Sequence, residues 1–206
     1  MALPVKNAPA LWLLRHAQPL VAPGVCYGQL DVPADHNHTL QAGMRFAGVM
    51  PRNAIVRYSP LQRCEQLAQS LQAPEAYLIP DPRLQEMHFG TWEGQSWNDI
   101  GKAAVDAWSQ DLYHHAPQGG ESLAAMLQRV KSALLESWQH DSQLGQRDVV
   151  WVTHAGVARC VHWLLHYGDA QPSAQDWRLP APAFGQHTRQ VWQQHMAALS
   201  ALQASG

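Results

Sequence analysis

Five apolar residues in a row, Ala10-Leu11-Trp12-Leu13-Leu14, run straight into Arg15-His16. A strand with one wet face alternates apolar and polar side chains, so an unbroken run reads as a strand covered on both faces. Ala54 to Tyr58 is a second such run, ending at Ser59-Pro60, and Ala76 to Ile79 a shorter third, closed by Pro80 and Pro82. Asp148 to Val152 is the fourth, ending at Thr153-His154. Strands of this kind need helices above and below them.

Those helices are legible between the runs. Leu40 to Met50 reads as a helix stopped by Pro51, and Ser59-Pro60 opens another through Leu71, with serine at the cap and proline in the first turn. The segment from Leu84 begins as loop and turns helical near Trp97, continuing to Trp108. From Ser122 to Trp138 the apolar residues Leu123, Met126, Leu127, Val130 and Leu134 follow the helical stripe. A further helix runs from Gly156 to about His166, and in the Pro-rich tail from Pro180 the stretch Gln190 to Ala198 fits strand or helix. Strands alternating with helices predict a three-layer α/β/α sandwich with a mostly parallel central sheet.

Apolar residues make up 46% of the 206 and charged residues 15%, enough core for one domain over residues 1–206 and too little charge for a disordered chain. Sixteen acids against fourteen bases give a net charge of −2, with no basic field for nucleic acid. The opening apolar run is too short to cross a membrane or form a signal-peptide core. Cys26, Cys64 and Cys160 are widely spaced and form no C-x-x-C pair. A cytoplasmic protein without nucleic-acid or membrane partners is expected. Nine tryptophans fit a homodimer face or a dense core equally well.

In parallel α/β sheets the ligand site lies outside the carboxyl ends of the strands. Here those ends deliver Arg15-His16, Ser59-Pro60 and Thr153-His154 to one edge, with Arg63 one turn into the following helix. Neutral imidazole is a competent nucleophile, and Arg15, Arg63 and a protonated His154 would keep His16 neutral by lowering its pKa. The same cations suit a phosphoryl group, because the arginine fork matches phosphate oxygens in two-point contact. Glu86, after the third strand, is the candidate acid. Its neighbours Met87, Phe89 and Trp92, and a bound phosphate dianion, would raise its pKa, while Arg83 and the pocket arginines oppose that. Trp92, Trp97, Trp108 and Tyr113 offer either stacking surface or ordinary core. His162 and His166, four apart, His114-His115 and His36-x-His38 are the metal candidates. No carboxylate or cysteine stands at ligand spacing to His162, so neither metal nor organic cofactor is expected.

Leu14-Arg15-His16-Ala17, Ser59-Pro60-Leu61-Gln62-Arg63-Cys64, Leu84 to Gly94 and Thr153-His154-Ala155-Gly156 together resemble the histidine phosphatase superfamily, which includes cofactor-dependent phosphoglycerate mutases and many phosphomonoesterases. The resemblance spans residues 14–156, with Gly119-Gly120-Glu121-Ser122 as a further match. It implies a phosphoglycerate mutase-like fold and a small-molecule phosphate monoester as substrate. His16 would form the phosphohistidine, Arg15 and Arg63 would bind the phosphoryl group, and His154 would stabilise it. Glu86 would be the proton donor that later activates water, and the backbone N–H of Ala155 would touch phosphate. Cys26 to Pro33 looks most like α-ribazole phosphatases, which remove the 5′-phosphate of a cobalamin precursor, so α-ribazole 5′-phosphate is the first candidate substrate. Phosphoglycerate mutase-type transfer and a non-catalytic phosphate-binding relative are the alternatives. Residues 94–118 hold one lysine, Lys102, and no arginine, which favours a hydrolase. Two departures matter. Ala17 replaces the usual glycine, and Ala22 stands where many members have a phosphate-binding asparagine, a contact then expected from Gln18 or Gln29. Asp35-His36-Asn37-His38 is atypical as well.

Overall fold

The computed structural model describes residues 8–71, 77–139 and 147–204. Its sheet has five strands: β1 (Ala10–Arg15), β2 (Ile55–Tyr58), β3 (Tyr77–Pro80), β4 (Val149–Thr153) and β5 (His187–Val191), in the order β3-β2-β4-β1-β5. The first four are mutually parallel, and β5 closes the edge antiparallel to β1. Every residue of β4 is buried, as a central strand covered on both faces must be.

The alternation of side chains along the central strands builds two cores. Leu11 and Leu13 of β1, with Val149 and Trp151 of β4, face α5 (Leu123–Glu136), α6 (Ala155–Tyr167) and Leu199 and Leu202 of α7 (Met196–Ala204). Leu14, Val150, Val152 and Val56 face α1 (His36–Ala47) and α2 (Gln62–Ser70). The three-layer α/β/α arrangement expected from the sequence is therefore the fold.

Element boundaries differ in informative ways. α1 starts at His36 rather than Leu40, because the Asp35 carboxylate accepts the His38 N–H at 2.8 Å and caps the helix; the unusual Asp-His-Asn-His segment is a helix start. α2 starts at Gln62 rather than Ser59, and its capping residue Leu61 offers no side chain to the helix. The Ser59 hydroxyl lies 2.9 Å from His154 Nε2. The helix expected from Trp97 to Trp108 divides into α3 (Trp97–Ile100), capped by Ser96, and α4 (Lys102–Gln110), separated by Gly101 at φ 85°. β3 begins at Tyr77, and Ala76 lies outside the described residues. The tail, which read as strand or helix, is both: β5 is followed by a helical turn at Trp192–His195 and then α7. Cys26, Cys64 and Cys160 are all buried free thiols. Among the described residues no helix is long and apolar enough to cross a membrane.

Leu14 is fully buried on the α1/α2 side of β1, immediately before Arg15. Leu14→Ala leaves a cavity that the sheet cannot collapse, and is expected to cost about 2–5 kcal/mol in a denaturant titration. A smaller loss would mean that this core is plastic.

Candidate active site

β1 and β4 pair with Arg15 opposite Thr153, so the residues that follow each strand emerge side by side. The His16 N–H donates to the Thr153 carbonyl at 3.0 Å, and the rings of His16 and His154 lie 5.1 Å apart. His16 is 1% exposed, with Nδ1 2.7 Å from the Ala17 carbonyl. A carbonyl oxygen only accepts, so Nδ1 carries the proton and Nε2 is left with its lone pair. Burial first, then the charges of Arg63 and Arg15, lower the His16 pKa to about 3. His154 is fully buried, with Nε2 2.9 Å from Ser59 Oγ and 3.4 Å from Cys64 Sγ. Burial, Arg63 and His16 hold its pKa well below the ordinary histidine value. The protonated His154 expected from the sequence is thus corrected: at rest both imidazoles are neutral, and the arginines alone press on His16.

Arg63, the second residue of α2, is fully buried without a carboxylate partner among the described residues. Its Nη1 donates to the Leu30 carbonyl at 2.9 Å and its Nη2 to the Gly28 carbonyl at 2.6 Å. Arg15 Nη1 donates to the Pro182 carbonyl at 3.0 Å, and its guanidinium lies 3.8 Å above the Phe184 ring. The Nε atoms of both arginines are buried without a partner among the described residues. Buried donors are rarely left unsatisfied, so two of them beside a neutral histidine describe an anion site. Phe184 also packs against His16, and Gly185 N–H bonds the carbonyls of Arg15 and His16. The Pro-rich tail therefore straps the end of β1. Nothing in its composition announces this.

Glu86 reaches the same place from the opposite side. Its carboxylate accepts the Gly156 N–H at 3.1 Å, in the first turn of α6, and the Met87 N–H at 3.2 Å. Its own carbonyl is held by Gln29 Nε2 at 3.0 Å and Arg129 Nη2 at 3.1 Å. Arg129 also grips the carbonyls of Arg83 and Gln85, each at 2.7 Å, and pairs with Glu121, whose Oε1 accepts the His88 N–H. Glu121 of the Gly-Gly-Glu-Ser motif is thus the buckle of the Glu86 loop, and Arg129 is the strap that sequence reading missed. Arg83, expected to act on Glu86, is tied to Asp81 and Glu136, each at 2.7 Å. The two expected substitutes for the Ala22 contact are placed differently. Gln29 supports the Glu86 backbone, and Gln18 is exposed and lines a separate groove with His38, Gln41 and Arg45.

Residues 11–183 match the histidine phosphatase superfamily (branch 1). The chain belongs to that superfamily. An adenosylcobalamin/alpha-ribazole phosphatase of Escherichia coli (strain K12) is 30% identical to it over 71% of this chain and 74% of the relative. The protein of the same description from Salmonella typhimurium (strain LT2) is 25% identical over the same shares. A mycobacterial glucosyl-3-phosphoglycerate phosphatase, solved with VO3, superposes with a TM-score of 0.74 at 26% identity, covering 88% of this chain and 90% of that one. The chain is a phosphatase.

A cavity of about 340 Å³ adjoins the candidate site, within the usual size for a small ligand. Arg15, Tyr27, Glu86, Ala155 and Arg159 supply its polar lining, and Phe89, Trp97, Trp108 and Trp177 its aromatic lining. Of the four aromatic residues singled out in the sequence, Trp97 and Trp108 line it. Trp92 packs edge-on against both, and Tyr113 lies in another groove. His162 and His166 stack at 4.2 Å with His195 beside them, and among the described residues no cluster of three or more His, Cys, Asp or Glu has the geometry to hold a metal.

Two outcomes follow for this phosphatase. A Cβ on Gly156 would lie 2.1 Å from Glu86 Oε1. Gly156→Ala is therefore expected to displace the Glu86 carboxylate and reduce kcat by about 10²–10⁴ while the melting temperature stays near wild type. Unchanged kcat would show that Glu86 does not act from this position. The second concerns pH. The His16 pKa falls from an unfolded value near 6.5 to about 3, so the unfolded chain takes up a proton that the folded chain refuses. Stability from this group is full above about pH 6.5 and declines as pH falls toward 3, and His154 acts in the same direction. The thermal midpoint should drop between pH 7 and 5, with a shallower slope in His16→Asn. An equal slope in the variant would place the acid sensitivity elsewhere.

Proposed function

We propose that this phosphatase hydrolyses a small phosphate monoester in two displacements through His16. The observation that carries the reading is the 2.7 Å hydrogen bond from Nδ1 to the Ala17 carbonyl. It fixes the tautomer that leaves Nε2 nucleophilic, beside two buried guanidiniums with unpartnered N–H groups. In the first step Nε2 attacks phosphorus, the P–N bond forms, the ester P–O bond breaks, and protonated Glu86 gives its proton to the leaving oxygen. In the second, Glu86 takes a proton from water as its oxygen attacks phosphorus, the P–N bond breaks, and inorganic phosphate leaves. Arg15, Arg63 and the Ala155 N–H hold the equatorial oxygens in both steps. His154, neutral at rest, gains basicity when the phosphoryl dianion arrives and then donates to it.

For the leaving group, α-ribazole 5′-phosphate is the first choice. The Cys26-Tyr27-Gly28-Gln29-Leu30-Asp31-Val32-Pro33 segment, the Escherichia coli relative and the aromatic cavity wall all support a flat heteroaromatic alcohol. One observation favours a second reading. Arg159 lines the cavity, donates Nε to the Leu179 carbonyl at 2.9 Å, and has no carboxylate partner among the described residues. A leaving group bearing its own carboxylate or phosphate would meet that charge, as in the compound named for the mycobacterial phosphatase.

The test is phosphate release, with EDTA present, from α-ribazole 5′-phosphate, nucleoside monophosphates, sugar phosphates and 3-phosphoglycerate. Preference for the ribazole ester, abolished in His16→Ala, is expected. Preference for the carboxylate-bearing ester, lost in Arg159→Ala, would install the second reading. Turnover surviving His16→Ala would end the phosphohistidine mechanism.

A further inference from the structure

Position 22, where the family resemblance expects a phosphate-binding carboxamide, is an alanine. Ala22 is exposed, Gln18 lines a different groove and Gln29 is engaged with the Glu86 carbonyl. Tyr27, by contrast, lines the cavity beside Arg15 and Glu86. Its ring lies 5.2 Å from the Arg63 guanidinium. The charges of Arg15, Arg63 and Glu86 all act on its hydroxyl. One phenol thus stands among three of the groups assigned to phosphoryl transfer. We infer that the Tyr27 hydroxyl is a phosphoryl-binding donor, taking the place of the absent carboxamide.

The hydrogen-bond inventory supports this. Guanidinium N–H groups only donate, so neither Arg15 nor Arg63 can take the phenolic proton, which stays free to donate. No acceptor among the described residues takes that proton. The phenol also stays protonated, because burial raises its pKa more than the arginines lower it. The loop holds the residue firmly. Gly28 carries φ +26° with no room for a Cβ against the Met87 carbonyl and Glu93, its carbonyl accepts from Arg63, and the Gln29 N–H bonds Glu93 Oε1 at 2.8 Å. A donor fixed in advance binds an oxyanion without reorganisation.

The inference rests on the proposed phosphohistidine reading, and its test separates the two. Tyr27→Phe keeps the ring against Arg63 and removes only the hydroxyl. The inhibition constant for inorganic phosphate, that for orthovanadate, and KM for the best monoester are each expected to rise about tenfold or more, at unchanged melting temperature. The same further loss is expected when Tyr27→Phe is added to Arg15→Lys. Unchanged phosphate inhibition in the single variant overturns the inference. So does the absence of further loss in the Arg15→Lys background, which would make Tyr27 a positioning residue for Arg15. His16→Ala decides the mechanism independently, through turnover alone, while phosphate binding to that variant with and without Tyr27→Phe still tests the tyrosine.

Discussion

The pairing of β1 with β4 is the constraint on which the site depends. Arg15 opposite Thr153 sets His16 against His154 and brings the start of α6 level with the end of β1. A slip of one residue would move every side chain of β1 to the other face, exchanging the two cores and turning His16 away. The unbroken apolar runs therefore do more than fill the sheet: buried on both faces, they permit one register. The functional residues stand one step beyond that register, where the strand ends and the side chain need not serve the core.

Holding two histidines in that place is costly when they are charged, and the fold answers by keeping both neutral. The positive charge stays on Arg15 and Arg63, whose Nη groups are held by carbonyls of Pro182, Leu30 and Gly28 instead of by carboxylates. The nearby acids are committed elsewhere: Glu121 to Arg129, Asp81 and Glu136 to Arg83 and Arg57, and Glu93 to backbone N–H groups. Carbonyl partners orient a guanidinium without cancelling its charge, which remains available to an incoming dianion. Among the described residues Glu86 alone brings a carboxylate to the cavity, and its carboxyl oxygens accept backbone N–H groups.

The four parallel strands, the α/β/α layering and the meeting of the five candidate residues were legible because each rests on a local signal: an apolar run, a helical stripe, or a polar pair at a strand end. What escaped was nonlocal or doubly assigned. Ser59-Pro60 carries a proper helix-start signal, yet the hydroxyl lies against His154 Nε2 and the helix begins three residues later. Arg129 sits on the polar side of a well-formed stripe, and only the folded loop reveals that it grips three carbonyls. Phe184 lies in a Pro-rich tail whose path over β1 is set by the antiparallel return of β5. The His187–Val191 segment mixes polar and apolar residues because it is an edge strand, and mixed pattern is what left its assignment open.

Ala17 shows how a departure from a family pattern is read physically. Glycine next to a catalytic histidine suggests a backbone that only glycine can adopt. Among the described residues, however, Asn53 alone of the non-glycine residues has positive φ, so the chain at Ala17 lies where any residue fits. What position 17 supplies is its carbonyl, 2.7 Å from His16 Nδ1, and a carbonyl is indifferent to the methyl beside it. The methyl itself is packed away at 2% exposure. The loss at position 22 is of another kind, because an asparagine there would act through its side chain, and alanine removes the group itself. Backbone contributions survive substitution and side-chain contributions must be replaced: the Ala17 carbonyl beside His16 is kept under the first rule, and a carboxamide at position 22 has no counterpart in the backbone.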